Sequence, residues 1–386
     1  MGADTGRKQT SEPWRVGVLF SRTGFMSVIE ETQLRGTLIA IDQINERGGV
    51  HGRPIEPVIY NPGSDVRSYG QYAKRLMVED GVSTIFGCYT SSSRRAVLPV
   101  VERLDGLLWY PTLYEGFEFS PNVIYTGATP NQNSVQLCRV LMEQFGKRFF
   151  FIGSDYIYPR ESNRVMREMV RNNGGSIVGE RYLRLEADRS EFIPLLRDIK
   201  RAQPDVIFST VVGESTTFLY QAYHDMGLNP KVVPIASLTT TEAEIRAMGH
   251  DVGEGHFTAA SYFQGIETET NNDFVTHYHK LYGDDEPTNM CLEASYFQVN
   301  LFARTLEQTN SLETRQLRNS VMGTEFEAPQ GCVSINPVWG HADVWTRIGR
   351  ANRKGQFDIV FQSPTSVRSD PYLIGYGRRF ELAECA

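Results

Sequence analysis

Short runs of apolar and β-branched residues alternate with longer amphipathic stretches along most of the chain. The first series of such runs covers residues 14–20, 54–60, 83–87, 106–112 and 122–127. Their length and β-branched content predict buried β-strands. After the first run, apolar residues recur at helical spacing at Leu34, Leu38, Ile41 and Ile44. A Gly-Gly pair at positions 48–49 ends this predicted helix.

A second series repeats the alternation from residue 148 onwards. Its predicted strands cover residues 148–153, 176–183, 204–210 and 231–237. Strands that alternate with helices indicate parallel sheets with helices on both faces, so the two series predict two doubly wound α/β lobes. A chain of 386 residues is also too long for one ordinary core. After residue 270, two helical stretches and a β-rich segment break the rhythm, which predicts more than two crossings between the lobes.

The composition describes an ordinary globular protein, with 40% hydrophobic and 22% charged residues. The net charge of −7 argues against a surface for nucleic acid, and no segment approaches the roughly 20 apolar residues that span a bilayer. Residues 1–14 lack the apolar core of a secretory signal peptide, so we expect a cytoplasmic protein, or a periplasmic one whose signal has been removed. Five scattered cysteines without a C-x-x-C pair predict reduced, buried thiols.

The stretch "GCYTSSSRRAVLPVVE", residues 87–102, follows a predicted strand and is rich in hydroxyl groups. It does not match the G-x-S-x-G motif of serine hydrolases, so we expect no covalent catalysis. A phosphate loop needs several glycines and a lysine, but only Gly87 is present, and we expect Arg94 and Arg95 to point into solvent. The dense histidine pair at 277–279 has a spacing that does not place both rings on one helix face, so we predict no metal site.

A binding site for a neutral ligand fits this stretch better. Ligands of doubly wound sheets bind where the strands end, and the first turn of a helix there offers free N–H groups. We predict that Ser91 contacts the ligand and that Ser92 or Ser93 caps the helix. Aromatic and hydroxyl side chains follow other predicted strands and extend the candidate site, namely Tyr110, Thr112, Tyr114, Tyr156 and Tyr158.

Three long motifs resemble one known family. Together with residues 87–102, the segments "YPTLYEGFEFSPNVIYTGATPNQN" and "FIGSDYIYPRESN" are similar to the amide and urea branch of the type I periplasmic-binding-protein-like family. The similarity extends from about Val16 to about Tyr372. It implies two lobes that are joined by three hinge crossings and close around the ligand like a Venus flytrap. We assign residues 14–127 and 261–333 to one lobe, 128–260 and 334–376 to the other, and 1–13 and 377–386 to flexible tails.

The resemblance also implies a set of ligand-binding residues: Tyr89, Ser91, Tyr110, Thr112, Leu113, Tyr156 and Tyr158. In this family the serine and its neighbouring backbone N–H hold a ligand oxygen. The residues that match Tyr110 and Thr112 limit the size of the pocket, and the last two tyrosines close it from the other lobe. Leu113 stands where the branch has proline, which leaves the shape of the pocket open.

The resemblance also bears on the ligand's charge and on Cys88. Amino-acid binders of the family carry an acidic residue where this chain has Pro130 and Asn131, and a buried zwitterion without a countercharge is costly. We therefore predict an uncharged amide or urea. Many secreted relatives join the cysteine that matches Cys88 to one in a loop that here, at residues 60–65, has none, so we expect a free thiol.

Two functions follow from the resemblance. The first is a cytoplasmic sensor for a small amide, which negatively regulates amidase expression by binding an antiterminator-type partner as the lobes open and close. The alternative is the substrate-binding protein of an ABC transporter for urea or short amides, with a permease as its partner. For both we predict no catalysis, no cofactor, no metal and no direct contact with nucleic acid, and a homo-oligomer stays possible.

Overall fold

The computed structural model describes residues 12–374, and its first lobe is built on a five-stranded parallel sheet. The strands are β1 (Trp14–Leu19), β2 (Ile55–Tyr60), β3 (Thr84–Gly87), β4 (Leu107–Tyr110) and β5 (Val123–Tyr125), in the order β2-β1-β3-β4-β5. Helices α1 (Ser27–Glu46), α2 (Val66–Val78) and α3 (Ser91–Arg103) connect them. All neighbouring strands are parallel, as the alternating pattern predicts.

A late helix, α11 (Met290–Thr309), completes this lobe by packing against α1. The two backbones approach closely at Gly36, where an added Cβ would lie 2.2 Å from the carbonyl oxygen of Leu292. Phe302 of α11 packs on the sheet, with its ring centroid 5.4 Å from that of Phe86 and 6.1 Å from that of Trp109. The core of the first lobe therefore joins segments from distant parts of the chain.

The second lobe is built on a seven-stranded sheet with the order β15-β14-β10-β9-β8-β6-β7. The strands are β6 (Arg148–Ser154), β7 (Ser176–Leu183), β8 (Val206–Thr210), β9 (Ile235–Ser237), β10 (Phe257–Ala260), β14 (Arg347–Ala351) and β15 (Phe357–Gln362). Its helices are α4 (Pro130–Gln144), α5 (Ile157–Asn172), α6 (Arg189–Ala202), α7 (Glu214–Asp225), α8 (Glu242–Met248) and α9 (His250–Gly253). Strands β6 to β10 pair in parallel, and β14 and β15 extend the sheet with antiparallel pairs.

The chain crosses between the two sheets three times, after β5, after β10 and before β14. The excursion after β10 contains α10 (Glu269–Tyr282), α11, α12 (Thr314–Val321) and an antiparallel sheet of β11 (Glu325–Ala328), β12 (Gly331–Ile335) and β13 (Ala342–Asp343). The predicted fold class, α/β with parallel sheets in two lobes, is confirmed. The proposed lobe boundaries stay a prediction. The tails proposed at 1–13 and 377–386 lie, except for residues 12 and 13, outside the described residues, as does Cys385.

Several elements differ from the sequence-based prediction. The run 342–351 reads as one segment, but it divides into β13 and β14, which belong to different sheets. Six elements were not predicted, namely α4, α8, α9, α12, β10 and β11. Most of them are short, and α4 begins with a polar run that resembles a loop. The predicted free thiol is confirmed, because Cys88 is buried and unpaired.

Candidate functional site

All seven predicted site residues line one small cavity between the lobes. Its lining consists of Tyr89, Ser91, Tyr110, Thr112, Leu113, Tyr156, Tyr158, Val212 and Thr239. Each of them ends a strand or follows the carboxyl end of one, which is β3 or β4 in the first lobe and β6, β8 or β9 in the second. Val212 and Thr239 were not predicted. Their position directly after two strands of the second series was the only sequence signal for them.

The turn between β3 and α3 presents Ser91 to the cavity. Cys88 has a φ of +74°, a left-handed conformation that non-glycine residues adopt rarely and at a cost. The helix cap is Thr90, whose side chain accepts a hydrogen bond from Ser93 N at 3.0 Å. The prediction that Ser92 or Ser93 caps the helix is therefore wrong. Helix geometry leaves the N–H group of Ser91, which lines the cavity, without an intrahelical acceptor.

Behind Ser91 lies a buried ion pair that the sequence analysis did not predict. Ser91 Oγ donates to Glu115 Oε2 at 2.8 Å, and Arg94 Nη2 binds Glu115 Oε1 at 2.8 Å. Arg94 Nε also binds Glu118 at 2.9 Å. Arg94 is completely buried, so the expectation that it points into solvent is wrong, whereas Arg95 is exposed as predicted. Two carboxylates draw the guanidinium inward and compensate its charge.

Aromatic rings complete the environment of Arg94. Its guanidinium carbon lies 4.9 Å, 5.2 Å and 5.9 Å from the ring centroids of Tyr110, Tyr114 and Tyr125. Burial opposes the charge, but the attraction of Glu115 outweighs it and holds the pKa of Arg94 well above its ordinary value. The candidate Tyr114 does not line the cavity, because it packs behind the wall and its hydroxyl bonds to the backbone of Glu118.

The hydroxyl groups of the first-lobe wall are engaged within the protein. Tyr110 Oη donates to the carbonyl of Tyr89 at 2.7 Å. Thr112 Oγ1 donates to the carbonyl of Cys88 at 3.2 Å and accepts from Gln33 Nε2 at 3.0 Å. These bonds fix the wall, so Tyr110 and Thr112 shape the cavity and have little hydrogen-bonding capacity left for a ligand.

The second lobe covers the cavity with the start of α5. The rings of Tyr156 and Tyr158 have centroids 6.4 Å apart. Burial raises the pKa of both hydroxyls well above their ordinary value, so both stay protonated near neutral pH. Tyr158 Oη is buried near Ser162 but completes no hydrogen bond within the described part of the chain. It is therefore a polar group at the cavity that needs a partner.

The cavity is small and its lining carries no formal charge. Its volume is about 10 Å³, which is about the room that one water molecule needs. None of the nine lining residues is acidic or basic. Pro130 and Asn131, which the sequence resemblance matches to an acidic residue of the amino-acid binders, do not line it. The Asn131 side chain instead donates to the carbonyl of Arg368 at 2.8 Å.

Ionic contacts join the lobes at the mouth of the cleft. Glu286 accepts hydrogen bonds from Arg35 of α1 at 2.8 Å and from Arg246 of α8 at 2.5 Å. Backbone contact adds to this bridge, because Glu214 N donates to the carbonyl of Phe25 at 3.2 Å. An open, charge-lined groove of about 700 Å³ runs between α1 and α8 beside these pairs. Separation of the lobes would break the Arg246 pair.

The chain is similar to known binding proteins. Residues 14–376 match the model of the periplasmic binding protein domain. The Leu/Ile/Val-binding protein homolog 6 of Brucella abortus (strain 2308) is 24% identical over 77% of both chains. Within residues 12–374, no helix has the length and apolar character that crossing a membrane requires.

Solved structures share the fold. A solute-binding protein of an ABC transporter from Rhodopseudomonas palustris HaA2, in complex with p-hydroxybenzoic acid, aligns with a TM-score of 0.84 and 21% identity. That alignment covers 95% of this chain and 100% of the other. The branched-chain amino acid transporter substrate-binding protein of Streptococcus pneumoniae, in complex with isoleucine, aligns with a TM-score of 0.80 and 16% identity, over 91% of this chain and 100% of the other.

Proposed function

The chain belongs to the periplasmic binding protein family, and from this premise we propose that it is a substrate-binding protein that captures a small uncharged amide or urea for an ABC permease. The observation that carries the proposal is the uncharged interlobe cavity, whose polar groups include the lone pairs of Ser91 Oγ and the hydroxyl of Tyr158. The Brucella abortus relative that covers 77% of this chain is named as a binding protein, and we propose no catalytic step.

The lining favours a neutral ligand over the ligands of the related structures. Isoleucine carries an ammonium and a carboxylate group, and a benzoate carries a carboxylate. Neither charge would find an opposite charge among the lining residues, and transfer of an unpaired ion into such a site is costly. The cavity volume of about 10 Å³ also disfavours both molecules, because side chains would have to move much further for them than for acetamide or urea.

A ligand of this size limits the affinity that the site can reach. Acetamide and urea have about four heavy atoms, and the best small ligands gain at most about 1.5 kcal/mol per atom. Binding then provides at most about 6 kcal/mol, which is a Kd of tens of micromolar. Reaching that limit requires complete enclosure with every polar group matched, because an unpaired polar group in the closed cleft reduces the affinity.

Calorimetric titration tests this proposal. We expect acetamide, propionamide or urea to bind with a Kd in the micromolar to low millimolar range. We expect no heat of binding from leucine or from 4-hydroxybenzoate at the same concentrations. Tight binding of leucine together with no binding of any amide or urea would refute the proposed ligand class.

The regulatory reading shares the ligand and differs in the partner. A cytoplasmic sensor of amidase expression would transmit closure of the lobes to an antiterminator-type protein. The names of the relatives support the transporter reading better, because they describe solute-binding proteins of ABC transporters. Fractionation of cells that express the complete native gene separates the two readings. Recovery from the periplasm supports the transporter, and exclusive recovery from the cytoplasm supports the sensor.

A further inference from the structure

The hydroxyl of Ser91 has one proton, which it donates in a hydrogen bond to Glu115. Ser91 Oγ lies 2.8 Å from Glu115 Oε2, and a hydroxyl facing an ionised carboxylate can only donate to it. Ser91 is 1% exposed and lines the cavity. Its remaining hydrogen-bonding capacity towards the cavity therefore consists of lone pairs, which accept hydrogen bonds.

The direction of this hydrogen bond is fixed from behind. Glu115 is 3% exposed, and its two oxygens receive N–H groups of Arg94 at 2.8 Å and 3.3 Å. A guanidinium does not lose its proton in proteins, so it requires an acceptor at both positions. In this ion pair Glu115 is a carboxylate, which only accepts hydrogen bonds, so Ser91 directs its proton to Glu115 and not towards the cavity.

The opposite wall supplies the complementary group. Tyr158 Oη is buried in the second lobe, lines the same cavity and completes no hydrogen bond within the described residues. Its high pKa keeps the proton available for donation. The closed site thus offers an acceptor from one lobe and a donor from the other, which matches a molecule with an N–H group and a carbonyl group.

We propose that Glu115 is a specificity-determining positioning residue, which holds Ser91 as a hydrogen-bond acceptor and so makes the site select amides and ureas over carboxylic acids of the same shape. The inference rests on the proposed function. This proposal reverses the expected role of Ser91. Its hydroxyl oxygen accepts a hydrogen bond from the ligand N–H group, and the ligand carbonyl oxygen accepts hydrogen bonds from other groups of the protein. A carboxylate would turn its lone pairs against those of Ser91, close to the charge of Glu115.

The variant Glu115→Gln reverses the hydrogen bond with almost no change of shape. The shorter contact, from Arg94 Nη2, keeps the amide oxygen of the new side chain towards Arg94. Its NH₂ group then takes the place of the oxygen that faces Ser91, and the longer contact from Arg94 Nη1, at 3.3 Å, is lost. Ser91 then accepts from this group and turns its own proton to the cavity. We expect the ratio of the Kd of acetate to that of acetamide, measured by calorimetry at pH 7, to fall about tenfold, the effect of one mismatched hydrogen bond.

Two further variants make the test independent of the folding of Glu115→Gln. Ser91→Ala removes the acceptor, and we expect the acetamide affinity to fall about tenfold while the acetate affinity does not fall. Glu118→Gln is the matched control, because Glu118 also binds Arg94, at 2.9 Å, but forms no hydrogen bond to Ser91. We expect it to leave the acetate to acetamide ratio unchanged.

The outcomes separate this inference from the proposed function. If the unmodified protein binds no amide and no urea, the proposed function fails and the inference fails with it. If the protein binds acetamide but both Glu115→Gln and Ser91→Ala keep the original ratio, the inference is wrong and the proposed function stands. A ratio that falls equally in Glu118→Gln also overturns it, because the effect would then come from the charge of Arg94 alone.

Discussion

Replacement of Arg94 tests how far the wall behind the ligand site depends on its buried charges. In Arg94→Met, Glu115 loses both guanidinium contacts and keeps only the bond from Ser91, at 3% exposure. Breaking a buried ion pair by removal of one partner typically costs about 3–5 kcal/mol, because a charge stays buried without compensation. The Glu118 side chain is 22% exposed and can turn to water, so it adds little to this cost.

We expect a free energy of unfolding that is lower by about 3–5 kcal/mol in Arg94→Met. For a unit of about 150–250 residues, the size of one lobe, each kcal/mol of lost stability lowers Tm by about 2–4 °C. We therefore expect Tm to decrease by roughly 10 °C. Urea unfolding and thermal melting followed by circular dichroism measure both quantities. The control is Arg95→Met, because Arg95 is exposed and its nearest carboxylate, on Glu118, is 3.7 Å away. It should change the stability by less than about 0.5 kcal/mol.

The double variant Arg94→Met with Glu115→Gln separates charge from packing. With both charges gone, no ion stays buried and unpaired, so at least half of the lost stability should return. Two results would refute the reasoning. One is a single variant within about 1 kcal/mol of the original protein, and the other is a double variant as unstable as Arg94→Met.

Three further predictions concern the site and the cleft. Gly127→Ala should lower the ligand affinity at least tenfold in calorimetry. Its Cβ would lie 2.0 Å from the carbonyl oxygen of Thr112, which lines the cavity, so the wall would have to shift. The control is Gly265→Ala, whose Cβ would lie 3.8 Å from its nearest neighbour and which should bind the ligand normally. Leu113→Ala should improve the affinity for butyramide relative to acetamide by about fourfold for each added methylene that the enlarged cavity buries. If the relative affinities of the two amides stay unchanged, Leu113 does not form the wall that limits the ligand's chain length. Burial raises the pKa of Glu30 from 4.5 to about 7. Between these two pH values the folded state retains a proton that the unfolded state loses. The free energy of unfolding therefore falls as the pH rises through this range, by about 3 kcal/mol in total. Glu30→Gln should remove this contribution, so its urea midpoint should change less between pH 5 and pH 8 than that of the original protein, and equal changes would disprove the assignment.

The strand-ending residues of the site could be predicted, because they depend on local order. Ser91, Tyr110 and Tyr156 each stand where an apolar run ends, and the ends of parallel strands meet at one edge of a sheet. The same rule covers Val212 and Thr239. Val212 was missed because an apolar side chain does not mark a binding site in a sequence. Thr239 was missed because it stands in a run of threonines that is typical of an ordinary loop.

The support behind the site could not be predicted, because it depends on contacts between distant residues. Glu115 follows Ser91 by 24 positions in a loop, and nothing in the spacing shows that they touch. Arg94 lies in the first turn of a helix. Charged residues there are usually solvated, so a solvent-exposed side chain was predicted. Two nearby carboxylates and three tyrosine rings reverse that preference, and only the folded chain brings them together.

The packing of α11 on α1 also has a consequence for synthesis on the ribosome. The carboxamide of Gln43 in α1 bonds to the hydroxyl of Tyr296 in α11, which is made 253 residues later. Strands β6 to β10 all leave the ribosome between these two helices. The second lobe can therefore begin to fold before α11 is available to bury the apolar face of α1. The lobe that emerges first acquires its finished core only after most of the chain has been translated.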